Sequence, residues 1–129
     1  MVHVTAAIIL KQNKVLICQR GEGGPCAYLW EFPGGKQEEG ESLVECLIRE
    51  VKEELDLTIE VSDICDEFSY NYGDGEMNFT FYNAQILSGI IKPTVHESVL
   101  WVDVLELGDF VFCPADVSLV RRLIESNKK

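Results

Sequence analysis

Positive charge is scarce in this chain. Eleven Lys and Arg stand against 22 Asp and Glu, which leaves a net charge of −11. Binding to a nucleic-acid backbone draws on a basic patch, and here the only runs of basic residues are Arg121-Arg122 and Lys128-Lys129. A polymeric nucleic-acid partner is therefore not expected. Long apolar runs are also missing, so no segment reads as a bilayer span. The N-terminal stretch MVHVTAAIILKQNK has no basic leader and no small-residue cleavage site, and it reads as a strand and not as a signal peptide. The five cysteines, Cys18, Cys26, Cys46, Cys65 and Cys113, are odd in number and form no CxxC pair. Most sit among apolar neighbours, which fits reduced thiols, a cytoplasmic setting and no structural zinc. Repeats, linkers and low-complexity segments are absent. A chain of 129 residues fits one domain, residues 1–129.

What is abundant is acid, and part of it is ordered. In Gly35 to Leu57, GKQEEGESLVECLIREVKEELDL, Glu50, Glu53 and Glu54 fall at i, i+3 and i+4 of a helix. That spacing sets three carboxylates on one face. Left alone they repel one another, whereas a hard divalent cation reverses the sign of that cost. The helix should start at Ser42, because Ser42 and Glu45 form a capping-box pair. Val44, Leu47, Ile48, Val51 and Leu55 form the apolar stripe expected to face a core. Glu45, Lys52 and Asp56 fall on the solvent side.

Around this helix the pattern is mixed. Val2 to Leu10 and Lys14 to Arg20 read as a strand pair turned at Gln12-Asn13. A loop follows at Gly21 to Pro25, then the apolar and aromatic Tyr28 to Phe32. Thr58 to Val61 and Asp66 to Tyr72 read as two strands. Gly73-Asp74-Gly75 is a hairpin turn leading into Met77 to Ile86. Ser88-Gly89 and Pro93 mark loops, Val99 to Val102 a short strand, and Asp103 to Leu107 a turn or short helix. Asp116 to Ser126 forms a closing amphipathic helix, with Val117, Leu119, Val120, Leu123 and Ile124 inward. The class is α/β.

Written with gaps, the acidic stretch fits G-x5-E-x7-R-E-U-x-E-E-x-G-U, where U is a bulky aliphatic residue. It resembles the Nudix box, with Gly35, Glu41, Arg49, Glu50, Val51, Glu53, Glu54 and Leu57 in place. One position departs: Asp56 stands where the pattern has Gly, so an altered helix end is expected, with metal binding intact. LWEFPGGK (Leu29 to Lys36) and FCPADVSLV (Phe112 to Val120) resemble segments of the MutT-like and CTP pyrophosphohydrolase-like branch.

The resemblance implies an α/β/α sandwich around a mixed sheet. It implies a Mg²⁺-dependent (Mn²⁺ as a substitute) nucleoside triphosphate pyrophosphohydrolase, in which water attacks phosphorus and nucleoside monophosphate and pyrophosphate are released. Glu50, Glu53 and Glu54 become metal ligands, completed by a backbone carbonyl of Gly34 or Gly35. Glu97 is a fourth ligand or a general base. Glu50, Glu53, Arg49 and Glu97 make up the catalytic set, with Arg49 also tying the loop to the helix through Glu41. Arg20, Glu31, Phe32, Pro33, Gly34, Lys36 and Asp116 are the substrate-binding candidates. Arg20 is either a phosphate or base contact or a strand-end surface residue, and Phe32 is either pocket or core. Asp116 is either an N-cap or a reader of the base edge. As an ionised acceptor it would suit an exocyclic amine, on cytosine or on an oxidised guanine presenting N–H groups, which favours a cytosine or broader nucleotide range over strict 8-oxo-dGTP specificity and leaves oxidised (8-oxo-dGTP) and cytosine (CTP or dCTP) nucleotides as the expected substrates. His3 and His96 are assigned no role. The expected partner is a small nucleotide, with no membrane and with a monomer or homodimer both open. A Nudix-fold module that senses nucleotides without cleaving them is the alternative from another class, and other nucleoside diphosphate derivatives are the alternative substrates.

Overall fold

The computed structural model describes residues 1–73 and 75–128. Seven strands, β1 (Val2–Lys11), β2 (Lys14–Gln19), β3 (Trp30–Glu31), β4 (Gly34–Lys36), β5 (Thr58–Asn71), β6 (Glu76–Ser88) and β7 (Ser98–Asp103), form one connected sheet. Helix α1 (Leu43–Leu55) lies between β4 and β5, and α2 (Val117–Asn127) closes the chain. The strand path runs β3-β2-β1-β6-β5, with β4 paired to β1 and β7 to β2. The β1–β6 pair is parallel and the other pairs are antiparallel, so the sheet is mixed.

Period-two alternation sorts the side chains onto two faces. Ala6, Ile8, Val15, Ile17, Phe79 and Phe81 pack with Leu119 and Val120 of α2. Ala7, Ile9, Leu16 and Cys18 pack with Leu47, Val51 and Leu55 of α1. The result is the expected α/β/α sandwich. No helix among the described residues is long and apolar enough to cross a membrane.

Three expectations are corrected, and a fourth, the turn or short helix at Asp103 to Leu107, is met and extended. Val44 and Ile48 are not core residues: each is 37% exposed. Both lie two residues from Cys46, about 200° round the helix, and Cys46 is the residue buried here, against Thr5 and Gly35. The two strands expected at residues 58–72 are one strand, β5. Register shifts between Val61 and Ile64 and between Ile64 and Asp66 absorb the polar SDIC segment. Ser62 Oγ donates to the Asn83 carbonyl at 3.0 Å and Asn83 Nδ2 donates to Asp63 at 3.3 Å, which ties that stretch to β6. The Asp103 to Leu107 segment is a 3₁₀ turn that runs on to Asp109. Asp116 is no side-chain cap: it ends a 3₁₀ turn, Pro114–Asp116, and its carboxyl makes no cap hydrogen bond. The turn expected at residues 73–75 centres on Asp74, which lies outside the described residues.

Helix α1 opens on the expected capping box. Glu45 N–H donates to Ser42 Oγ at 3.0 Å, and Ser42 N–H donates to Glu45 Oε1 at 2.8 Å. It closes on Asp56 in the left-handed region (φ 59°, ψ 35°), whose N–H donates to the Lys52 carbonyl. A non-glycine residue there is strained, and an acid at a helix C-terminus opposes the dipole. Replacing Asp56 by Gly is expected to raise stability by about 0.5–1 kcal/mol and to leave turnover unchanged, checked by urea unfolding and steady-state rates.

Candidate active site

The short β4 places the start of the acidic motif against β1. Ala7 N–H donates to the Pro33 carbonyl and Gln37 N–H to the His3 carbonyl, both at 2.8 Å. Given the register Thr5↔Gly35 and Ala6↔Gly34, ladder alternation turns Gly35 toward β1 and the amide and carbonyl of Gly34 away from it. The Gly34 amide does reach outward, to Glu54 Oε1 at 3.3 Å. The Gly35 carbonyl is approached by Thr5 Oγ1 at 3.4 Å and by the Cys46 thiol at 3.7 Å. Of the two candidate backbone donors, Gly34 is the one free to face the carboxylates. Both positions require the absence of a side chain. A Cβ on Gly34 would meet the Thr5 carbonyl, and one on Gly35 would meet the Glu50 carboxyl.

Arg49 organises the acidic face. Its Nε and Nη2 donate to Glu41 at 3.0 and 2.7 Å, a two-point clamp between loop and helix. Its Nη2 also donates to the Lys36 carbonyl at 3.2 Å. Its Nη1 lies 3.0 Å from both Glu50 Oε1 and Glu53 Oε1. The Arg49 bond, chiefly, lowers the Glu41 carboxyl to about 2. Glu50 is half-buried, and burial outweighs Arg49 to raise its carboxyl. Glu54 is more deeply placed. Burial first, then the charges of Glu31 and Glu50, push it up to about 8. Glu53 is 57% exposed along its side chain. Among the described residues the acids do not converge into a ready-made metal-binding group of three or more. Glu50 and Glu53 instead share Arg49, while Glu54 holds the Gly34 amide.

A cavity of about 520 Å³ opens beside this cluster. Glu50, Glu54, Gly34, Gly35 and Lys36 line it near α1; Arg20, Glu31 and Phe32 continue the wall, and Asp116 lies on the α2 side. Phe32 turns out to be both wall and core, stacked on Phe112 with centroids 5.4 Å apart. Arg20 Nη1 lies 3.2 Å from Glu31 Oε1. Pro33 is buried off the wall and serves through its carbonyl bond to β1. Arg49 and Glu53 border the cluster without lining the cavity. Glu97 is exposed on the segment before β7, outside the lining, with its amide bonded to the Gln19 carbonyl at 2.9 Å.

Asp116 is 6% exposed. Burial, and then the Glu31 charge, push its carboxyl well above the usual carboxylate range, against the pull of Arg20 and the Phe32 backbone. That direction favours the protonated form over the ionised acceptor expected from the sequence. A protonated acid both donates and accepts, as an amide does.

Sequence reasoning missed several wall residues. Tyr72, Cys26 and Cys113 line the cavity on the Asp116 side. The Tyr72 hydroxyl accepts the Ala115 N–H at 2.9 Å, and its own proton has no acceptor among the described residues. Nothing in the strand pattern distinguishes Tyr72 from a core aromatic. His96 was also missed: its Nε2 lies 2.9 Å from Glu31 Oε2, a pair 65 residues apart that no spacing rule connects.

A family model for the NUDIX domain matches residues 1–123. The chain belongs to the Nudix family. It is 30% identical over 120 residues to the CTP pyrophosphohydrolase of Escherichia coli (strain K12), covering 93% of this chain and 89% of that protein. It is 30% identical over 125 residues to the 8-oxo-dGTP diphosphatase of Haemophilus influenzae, covering 96% and 92%. The crystal structure of a MutT protein from Methanosarcina mazei Go1 superposes with a TM-score of 0.85 at 25% identity, covering 99% and 96%. In this Nudix chain the described site is thus built on the family's fold, with its box on the β4–α1 element.

Proposed function

We propose that this chain is a Nudix nucleotide hydrolase that cleaves (deoxy)nucleoside triphosphates to the monophosphate and pyrophosphate in a cytoplasmic setting. Cytosine nucleotides and oxidised guanine nucleotides are the favoured substrates. One observation carries the reading. The same cavity has hard oxygen donors at one end and, at the other, an apolar wall with the buried Asp116 acid and the Tyr72 hydroxyl. The first end suits cations and phosphate, the second a nucleobase edge. The relatives named for activity on CTP and on 8-oxo-dGTP support the same two substrates.

The donors fit a divalent cation such as Mg²⁺ or Mn²⁺. Glu50, Glu53, Glu54 and the Gly34 carbonyl are all oxygen, and the raised Glu54 carboxyl is a buried acid that a cation would discharge. Once bound, such a cation offsets phosphate charge and makes water nucleophilic near neutral pH. The chain's own residues do the rest. Arg49 holds Glu50 and Glu53 in line with one another and ties the box loop to α1. Phe32 and the neighbouring apolar wall exclude water from the base. Asp116, protonated in this reading, and Tyr72 offer donors to it, and Glu97 is retained as a proton acceptor or further ligand.

The test is a nucleotide panel containing CTP, dCTP, dGTP and 8-oxo-dGTP, with products identified by chromatography, in Mg²⁺ and in EDTA. Pyrophosphate release from cytosine or oxidised guanine substrates in Mg²⁺ alone is the expected result. Equal turnover in EDTA, or inorganic phosphate as the first product, would overturn the reading.

A further inference from the structure

Glu31 lines the cavity and engages a different residue with each of its two carboxylate oxygens. Its carboxylate raises the Glu54 carboxyl on the phosphate side and the Asp116 carboxyl on the base side. It lies on β3, outside helix α1 that carries the acids proposed to hold a cation, and an acid without a cation between does not meet a polyphosphate, because like charges repel. Its use is therefore on the base or sugar, and that use depends on its orientation. Two residues fix the orientation. Arg20 holds Oε1 at 3.2 Å from one side, and its side chain is 45% exposed. His96 holds Oε2 at 2.9 Å from the other, and its side chain is only 3% exposed. The second ring nitrogen of His96, Nδ1, is buried with no hydrogen-bond partner among the described residues. An imidazole sealed in at the expense of one unpaired nitrogen is not explained by packing, since an apolar side chain would fill the space without that cost. The Glu31 bond is what it gains.

We infer that His96 is a positioning residue for nucleotide recognition, its Nε2–H donating to Glu31 so that the carboxylate is locked at the base end of the cavity. The inference rests on the function proposed above. It sets His96 apart from Glu97 beside it: His96 acts on affinity, through Glu31, and not on the chemical step.

The test compares full-length wild type with His96→Leu, His96→Gln, His96→Asn, Glu31→Gln and the His96→Leu/Glu31→Gln double variant, using the best substrate of the panel. A Gln amide can occupy the place of Nε2, whereas an Asn amide falls short near Nδ1. His96→Leu and His96→Asn are expected to raise KM about tenfold, the factor for one charge-assisted hydrogen bond, with kcat changed less than about twofold. His96→Gln is expected to restore KM. In the Glu31→Gln background His96→Leu is expected to add nothing. An unchanged KM in folded His96→Leu, or an equal KM rise with and without the Glu31 carboxylate, would overturn the inference. A readout independent of turnover is the ¹⁵N spectrum of the imidazole in wild type. A proton on Nε2, with a shift that changes in Glu31→Gln, supports the bond, and a proton on Nδ1 alone overturns it. Absence of turnover across the whole panel would sink the proposed function while leaving the spectrum to decide the bond.

Discussion

Glu54→Gln is expected to abolish turnover, by roughly 10³-fold or more, and at the same time to make the metal-free protein more stable at pH 8. The two effects have one cause. Glu54 sits deep beside the Gly34 amide, with its carboxyl pushed up to about 8 by burial and by the charges of Glu31 and Glu50. In the metal-free chain, ionising it costs folding free energy. The amide removes that cost and with it an anionic donor. Glu53→Gln is the informative partner. Its side chain is 57% exposed and, among the described residues, bonds Arg49 alone, so a comparable loss of turnover is expected with a change in stability within about 0.5 kcal/mol. Rates on the preferred nucleotide and urea unfolding of each variant check this. Near-normal turnover in either folded variant would remove that residue from the site.

The second large effect is on stability against pH. Glu54 has a folded-state carboxyl raised above its unfolded value near 4.5. Its contribution is therefore fully present below pH 4.5 and is lost as pH rises through about 8. Asp116 shifts in the same direction. Glu41 runs the other way: lowered to about 2 by Arg49, it supports folding above pH 4.5 and fails as pH falls toward 2. In EDTA the melting temperature should peak near pH 5 and fall toward pH 8, with Glu54 accounting for at most about 3 kcal/mol of the decline. The Glu54→Gln curve should be flatter on the alkaline side, and Mg²⁺ should lift the wild type most at pH 8. Parallel wild-type and Glu54→Gln curves in EDTA would contradict the assignment of that slope.

The acidic helix was legible in sequence because several local signals agree there. Ser42 and Glu45 cap it, Leu47, Val51 and Leu55 recur at its period, and the box fixes Glu50, Glu53 and Glu54 on one face. Local signals say nothing of what lies opposite. The burial of Cys46 and the exposure of Val44 and Ile48 depend on where β4 docks. The continuity of β5 depends on Asn83 reaching back to Ser62 and Asp63. Asp116 follows Pro-Ala and has the local appearance of a cap; only the long-range packing that brings Glu31 and Phe32 beside it makes it a buried wall residue with a raised carboxyl. His96 and Glu31 are joined solely by the fold. The metal end of the site is thus local in sequence, and the base end is assembled from β2, β3, the end of β5, the segment before β7 and the start of α2.

That division leads to one decisive observation: a crystal structure of the wild-type chain with Mg²⁺ and a non-hydrolysable analogue of CTP or 8-oxo-dGTP. The expected result is cation density about 2.0–2.2 Å from oxygens of Glu53, Glu54 and the Gly34 carbonyl, with the triphosphate over β4 and the base against Asp116 and Tyr72. A nucleotide bound with its cations elsewhere, and with Glu53 and Glu54 turned away from them, would contradict it.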